Sequence, residues 1–186
     1  MKIVSIFLCV FSIALLSGCN YREIDRGYLV TAIGIASENT SAKIYIEAIS
    51  SSEVSEKPAE RVVLMGEGKN FESAFTNLKA TLVKPLYFEQ IGSAIVNTDL
   101  NNDIVDFLKG ISNINYGIYL IKTDDINALF NADTQNGVLG YDVIGLVKTN
   151  IKVSNQLFQI RRKDFYLPTV NINNEKLILT STGENI

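Results

Sequence analysis

The sequence predicts an α+β protein with a mixed β-sheet and helices packed on it, and three observations carry this prediction. Beyond residue 27, segments rich in Val, Ile and Thr alternate with segments whose apolar residues recur at helical spacing. The first two strand-like segments are separated only by a polar turn, which predicts an antiparallel hairpin. After that hairpin the order is strand, helix, strand, helix, strand, helix, which is typical of helices packed on a sheet.

The first three strands are predicted from short β-rich runs separated by polar residues. Tyr28 to Ile35 and Lys43 to Ile49 form the hairpin, with a turn over residues 37–41. Ser50 to Glu60 has the composition of a loop and is expected to be the most mobile internal segment. Arg61 to Met65 is a short strand that leads into Gly66-Glu67-Gly68. These glycines are interpreted as positions of turns or close packing.

Three helices follow, each identified by its cap and its apolar stripe. The first has Asn70 as N-cap, runs from Phe71 to Leu82 and is ended by Pro85. Thr98-Asp99 is expected to open the second, which Gly110 ends, and Thr123-Asp124-Asp125 caps a short third one. The strands between them are predicted at residues 90–97 and 116–122.

The last third of the chain has weaker patterns. Gly137 to Lys148 has helical apolar spacing, although its glycines and β-branched residues oppose a helix. Ser154 is predicted to cap a further helix through Arg162, which Tyr166-Leu167-Pro168 ends. Lys176 to Thr180 is a final strand before a polar tail.

The N-terminus has the layout of a signal peptide. Lys2 precedes an apolar run from Ile3 to Leu16, which is shorter than the roughly 20 residues that span a bilayer. Leu16-Ser17-Gly18-Cys19 matches the lipobox of bacterial lipoproteins, so we expect cleavage between Gly18 and Cys19 and a diacylglycerol on the Cys19 thiol. The alternative is an ordinary secretory signal that contains a cysteine. The expected organisation is a signal peptide at 1–18, a lipidated tether at 19–27, an α+β domain at 28–170, and a terminal strand and tail at 171–186.

Composition argues against several functions. The formal charge of −3 does not favour nucleic-acid binding, and the basic cluster Arg161-Arg162-Lys163 is interpreted as a solvated helix end rather than a phosphate site. The chain has no histidine, and its cysteines are Cys9 in the signal and Cys19 at the lipid site. Zinc sites, disulfides and Ser-His or Cys-His catalysis therefore lack their usual residues. The carboxylates are expected mostly in polar loops and on helix faces, where they are solvated, so we predict no enzyme activity, no metal site and no cofactor.

The residues around the lipobox resemble a known family. Gly18-Cys19-Asn20-Tyr21-Arg22-Glu23-Ile24, followed by Val30-Thr31-Ala32-Ile33-Gly34-Ile35, resembles the mature start of the Ger(x)C family. These proteins are the lipoprotein C subunits of nutrient germinant receptors in bacterial spores. Further similarities, in order along the chain, are Gly66-Glu67-Gly68, Leu86-Tyr87-Phe88, Asp106-Phe107-Leu108 and Leu167-Pro168-Thr169-Val170.

The chain also departs from the family pattern. Family members usually have Trp-Asp after the lipid cysteine, where this chain has Asn20. They often have Asp where Ala36 stands and His where Glu89-Gln90 stand. They usually continue into further C-terminal domains, so the expectation is a short or truncated form, or a fragment.

The resemblance implies a lipid-anchored, non-enzymatic receptor subunit that acts in germination. Its implied partners are the membrane-embedded A- and B-type receptor subunits, and its implied location is the outer face of the spore inner membrane. We expect Tyr21, Arg22, Glu23 and Ile24, just above the lipid headgroups, to help position the domain; the alternative is a solvated linker. Tyr87 and Phe88 are candidates for an aromatic anchor at a partner interface, or else residues at the edge of the core.

Two other functions compete with this one. The first is a lipid-anchored small-molecule-binding protein of the cell envelope, with a cleft between the sheet and the final helices. The second is a carboxylate-dependent hydrolase of the cell wall, for which no segment supplies an identifiable acid and nucleophile.

Overall fold

The computed structural model describes residues 27–38, 40–50, 60–133, 137–150, 155–162, 165–174 and 176–181. Within these ranges eight strands form one mixed sheet, and four α-helices pack against it, which confirms the predicted α+β class. The strands are β1 (Tyr28–Glu38), β2 (Ser41–Ser50), β3 (Glu60–Gly68), β4 (Leu86–Tyr87), β5 (Ser93–Val96), β6 (Tyr119–Lys122), β7 (Thr169–Asn173) and β8 (Lys176–Ser181). The helices are α1 (Phe71–Ala80), α2 (Asn102–Gly110), α3 (Ile126–Asn131) and α4 (Leu139–Asn150).

The sheet is built outward from β1. Its order is β3-β2-β1-β5-β6-β7-β8, and the short β4 pairs with the start of β1. β2 is antiparallel to both β1 and β3, as the predicted hairpin requires for β1 and β2, whereas β5 and β4 run parallel to β1. β6 and β7 continue the parallel set, and β8 closes the sheet as an antiparallel hairpin with β7. The longest strand is therefore paired on both sides along most of its length.

Each face of the sheet covers its own apolar core. On one face, β2 residues Ala42, Ile44 and Ile46 contact the core that α1 and α2 cover. On the other face, the core is formed with α3 and α4, whose buried residues there are Ile126, Leu129, Phe130, Leu139, Val143 and Val147. The alternation of side chains along a strand separates these two sets. The helices therefore pack on both faces of the sheet, in three layers.

The strand and helix order predicted from the sequence is confirmed, but several boundaries shift. Asn70 caps α1 as predicted, and its side chain accepts from the Ser73 N–H over 2.8 Å. The second helix does not open at Thr98-Asp99. Its N-cap is Asn101, which accepts from the Ile104 N–H over 3.0 Å. Asp125 is the cap of α3, as the predicted Thr-Asp-Asp segment implies.

The final third differs more from its prediction. The helix expected through Arg162 is only a 3-10 turn at Leu157–Gln159, preceded by a bridge between Gln156 and Tyr119. The turn forms because this segment follows the edge of β6, where its backbone bonds to the strand instead of to itself: the Leu157 N–H donates to the Ile118 carbonyl over 3.0 Å. β4 and β7 were not predicted as strands. The loop expected at residues 50–60 lies mostly outside the described residues, as does Ser154.

No helix within the described ranges is both long and apolar enough to cross a membrane.

Two glycines show why this packing needs residues without a side chain. A Cβ on Gly66 of β3 would meet the Ala74 carbonyl of α1, and a Cβ on Gly140 of α4 would lie 2.5 Å from the Thr31 carbonyl of β1. Both contacts are with backbone atoms, which cannot rotate away. α1 and α4 thus lie directly on the sheet at these points.

We therefore predict that Gly140→Ala destabilises the protein by about 1–3 kcal/mol, because α4 must move away from β1. The matched control is Gly145→Ala in the same helix, where a Cβ meets nothing within 4 Å. That substitution should stabilise by about 1 kcal/mol through helix propensity. Urea unfolding of both variants measures the difference, and equal effects at the two positions would contradict the close packing.

Candidate functional site

The described chain enters the fold at one end of β1, beside the loop of residues 81–90. The Tyr28 N–H donates to the Pro85 carbonyl over 2.9 Å, and Leu29 pairs with Tyr87 in the ladder between β1 and β4. Gly27 is buried, and a Cβ there would run into the Tyr87 ring. Whatever precedes residue 27 therefore joins the body at this loop, and its point of attachment is fixed by backbone pairing.

An open pocket of about 680 Å³ lies beside this point of entry, and we call it the entry-side pocket. Its apolar lining comes from the end of α1, from β4 and from the residue that follows α2. Charged and polar residues also line the pocket. The lining residues are Phe75, Lys79, Leu82, Val83, Lys84, Pro85, Leu86, Tyr87, Phe88, Glu89, Ile111, Ser112 and Asn113. An apolar concavity with a few polar groups is the usual form of a binding site.

A cluster of aromatic rings supports the pocket from below. The Phe75 ring lies 5.9 Å from Phe88 and 5.8 Å from Phe107, both with edge-to-face geometry. Phe71 lies 5.8 Å from Phe107 on the other side. These rings join α1, α2 and the residue after β4 into one block, so the pocket is preformed on a packed base.

The sequence-predicted site residues fall into two groups. Tyr87 and Phe88 both reach the entry-side pocket, where Tyr87 is half-buried and Phe88 belongs to the core with 5% exposure. Gly18, Cys19 and Tyr21 to Ile24 lie outside the described residues. Within the part described, the structure thus brings one accessible predicted residue, Tyr87, to the wall of a pocket.

A second cleft, of about 620 Å³, lies at the opposite end of β1 and is polar. α1 and α2 both begin there, and Glu72, Asp103 and Asp106 line it. The side chains of the caps, Asn70 and Asn101, already accept hydrogen bonds from first-turn N–H groups of the two helices. The acidic side chains repel anions as well, so the two helix starts do not form an anion site. Beyond this cleft, at the end of β6, the Lys122 ammonium binds Asp99 over 2.6 Å and lowers the pKa of that carboxyl. This end of the molecule is predominantly acidic.

A buried carboxylate on the α4 face is the feature that the sequence prediction missed. The Glu47 side chain is fully buried and accepts four hydrogen bonds. Thr31 Oγ1 donates to Oε2 over 2.6 Å and Arg61 Nε to Oε1 over 2.6 Å. The first N–H groups of α4 complete the set, from Leu139 over 2.7 Å and from Gly140 over 2.8 Å. The expectation that carboxylates are solvated is therefore wrong for Glu47.

The Arg61 guanidinium extends this network to α3. It donates to the Phe130 carbonyl over 2.7 Å and to the Ala132 carbonyl over 3.1 Å, at the end of the helix. One Glu–Arg pair thus holds the end of α3 and the start of α4. The cation lies at the C-terminal end of α3 and the carboxylate at the N-terminal end of α4, which are the favourable positions relative to each helix dipole. Because the carboxylate has no exposed surface and both its oxygens accept two bonds, it is a structural group and cannot reach a substrate. In the sequence, the only indication of this buried group is that Glu47 is a single acidic residue inside the apolar run of β2.

We predict that Glu47→Gln destabilises the protein by about 3–5 kcal/mol, because it leaves the Arg61 charge without its partner and turns an amide donor toward other donors. Glu38→Gln serves as the control, since Glu38 pairs with Lys43 at an exposed position and its loss should change stability little. Chemical unfolding of the two variants provides the comparison. Comparable losses would mean that the buried network does not hold the helices.

Within the described ranges, no three His, Cys, Asp or Glu side chains are grouped so as to hold a metal ion.

Comparison with known proteins identifies one family. A family model described as the spore germination protein N-terminal domain matches residues 20–172. No curated protein and no solved structure matches the chain. The matched span covers most of the sequence and includes the hairpin, the four helices and all of the entry-side pocket.

Proposed function

The chain belongs to the family of the spore germination protein N-terminal domain, as its Ger(x)C resemblance predicted, and we propose that it is a lipid-anchored, non-enzymatic subunit of a nutrient germinant receptor. In this role it acts in germination at the outer face of the spore inner membrane. It docks onto the membrane-embedded A- and B-type receptor subunits. The observation that carries the proposal is the position of the entry-side pocket, directly beside the point where the N-terminal segment joins the fold.

The sequence supplies the anchor. Leu16-Ser17-Gly18-Cys19 supplies the lipobox, and cleavage before Cys19 leaves that cysteine as the lipidated first residue. Two acyl chains hold a protein stably at a bilayer, whereas one holds it marginally. A diacylglycerol on Cys19 therefore suffices to retain the body at the membrane.

The reach of the tether limits where docking occurs. At about 3.3–3.6 Å per residue, the chain from Cys19 to Gly27 spans at most roughly 30 Å. The start of β1 stays within that distance of the headgroups, and so does the entry-side pocket. A partner segment emerging from the same membrane meets the pocket at a high effective concentration, so modest contacts suffice.

The contacts that we assign to docking combine the tether with the pocket. Tyr21, Arg22, Glu23 and Ile24 lie next to the lipid in sequence and orient the body. Tyr87 supplies a half-buried aromatic wall of the kind that anchors interfaces, and Phe88 supports it from the core. The pocket takes an apolar side chain from the partner, with Glu89 and Asn113 at hand for polar contacts.

We predict that crosslinking and purification from spore membranes recover the two membrane-embedded subunits with the lipidated protein. Cys19→Ala should abolish recovery, because the body is no longer held near its partners. Ser112→Trp should reduce it at least several-fold, because the new ring fills the pocket from an exposed lining position. Ala128→Trp, an exposed substitution on α3, is the matched control and should leave recovery unchanged.

Two results would contradict the proposal in different ways. Recovery of neither subunit with a correctly lipidated, folded protein would leave a solitary lipoprotein that has kept the family fold. Full recovery with Ser112→Trp would place docking elsewhere on the body. The combined Arg22→Ala and Glu23→Ala variant separately tests the tether, whose positioning role is rejected if assembly is intact.

A further inference from the structure

Three exposed apolar side chains lie along the edge of the sheet where β1, β5 and β6 begin, which we call the entry edge. Val83, on the loop after α1, is 96% exposed. Tyr116 precedes β6 with 50% exposure, and Phe158 is 62% exposed. The last two are neighbours, because the Phe158 N–H donates to the Tyr116 carbonyl over 3.1 Å. Single exposed apolar residues are ordinary, but these share one edge with the point of chain entry.

Lysines accompany these residues at the entry edge. α1 and α2 both end there, with Lys79 and Lys109 in their last turns, and Lys84 follows in the loop that lines the entry-side pocket. The opposite edge is acidic, with Glu72, Asp103, Asp124 and Asp125 exposed at helix starts; Lys69 also lies there, and Glu38 and Asp99 are paired with Lys43 and Lys122. The entry edge carries two exposed acids, Glu60 and Glu89, beside its lysines, so the charge difference between the two ends comes mainly from the acidic end.

We propose that the entry edge is a peripheral membrane-binding surface that rests on an anionic phospholipid bilayer. The inference rests on the lipid anchor of the proposed function and adds a second, non-covalent contact to it. Val83, Tyr116 and Phe158 enter the headgroup region, and the exposed lysines that end α1 and α2, Lys79 and Lys109, lie near the lipid phosphates; the Lys79 ammonium lies 4.6 Å from the centroid of the Phe75 ring.

Two features of the molecule favour a bilayer as the occupant. The first is reach, because the tether joins the body at Gly27, on this same edge. The second is charge complementarity, since each lysine near an anionic surface strengthens binding about fivefold. Aromatic side chains with cationic neighbours are also the residues that occupy membrane interfaces. With the entry edge on the bilayer, the acidic edge points away from it. The inverted orientation is unfavourable because an anionic bilayer repels the acidic edge.

The geometry leaves room for a partner at the membrane as well. β1 has 11 residues, so at about 3.3 Å per residue its two ends lie roughly 33 Å apart. A body standing on the entry edge raises its acidic edge by that length above the headgroups. Val83, Lys79 and Lys84 also line the entry-side pocket, so the bilayer contact and the docking site adjoin at this rim, whereas Tyr116, Phe158 and Lys109 lie outside the pocket.

The test places one fluorescent reporter at a time on the full-length lipoprotein. Because Cys9 leaves with the signal and Cys19 is lipidated, Val83→Cys introduces the only free thiol of the mature chain. It is labelled with the dye NBD after reconstitution into vesicles of phosphatidylcholine and phosphatidylglycerol that contain a doxyl-lipid quencher. Phe158→Cys provides a second probe on the entry edge, and Thr40→Cys provides the control at the acidic end. Mass spectrometry verifies the lipid on Cys19.

We expect blue-shifted emission and doxyl quenching at Val83 and Phe158 but not at Thr40. Replacing Lys109, which lies outside the entry-side pocket, by Glu should reduce the quenched fraction several-fold, whereas Lys69→Glu at the acidic end should not. High salt or vesicles of phosphatidylcholine alone should have the same effect as Lys109→Glu.

The outcomes separate this inference from the proposed function. A mature protein without lipid on Cys19 overturns the anchor and this inference together. A lipidated protein with equal, unquenched signals at both ends overturns the membrane contact alone and leaves receptor docking intact. Signals that become shielded only when receptor subunits or a second copy of the chain are added would show that a protein covers the edge, which also overturns the lipid assignment.

Discussion

The packing of α3 and α4 on the sheet depends on one buried ion pair. Glu47 and Arg61 join two strands of the hairpin sheet to the end of α3 and the start of α4. A carboxylate in a dry core is tolerated only when every lone pair is engaged, and here four donors from three different parts of the chain engage it. The α4 face of the sheet can therefore form only when the hairpin and both helices are in place.

A bulge in β1 lies at this network. The register between β1 and β2 shifts between Val30 and Ala32, so Thr31 is the extra residue of the ladder. Val30 belongs to the core under α1, whereas Ala32 belongs to the core under α4. The Thr31 hydroxyl donates to Glu47, and a Cβ on Gly140 would lie 2.5 Å from the Thr31 carbonyl. The irregular part of β1 is therefore also the place where α4 lies closest to the strand.

The sequence predicts the parts of the fold that local pattern controls. The hairpin, α1 with its Asn70 cap and the order of strands and helices follow from periodicity and capping, which act within a few residues. Glu47 could not be assigned, because its partners lie up to 93 residues away in the chain and only the packed structure brings them together. The entry-side pocket could not be predicted for the same reason. Tyr87 and Phe88 were candidate interface residues, but the other walls of the pocket come from α1 and from the residues after α2, which are distant in the sequence. The segment around Leu157 was predicted as a helix because its spacing is helical, and the edge of β6 offered its backbone better partners.

The attachment of the N-terminal segment to β1 also has a mechanical consequence. With the anchor proposed above, a pull transmitted from the membrane would reach the body at Gly27, at the start of β1. The hydrogen bonds of this strand to β2, β4 and β5 run across the strand axis, so a load along β1 would be borne by them simultaneously, in shear. A strand paired in this way resists being pulled out of the sheet by its N-terminus.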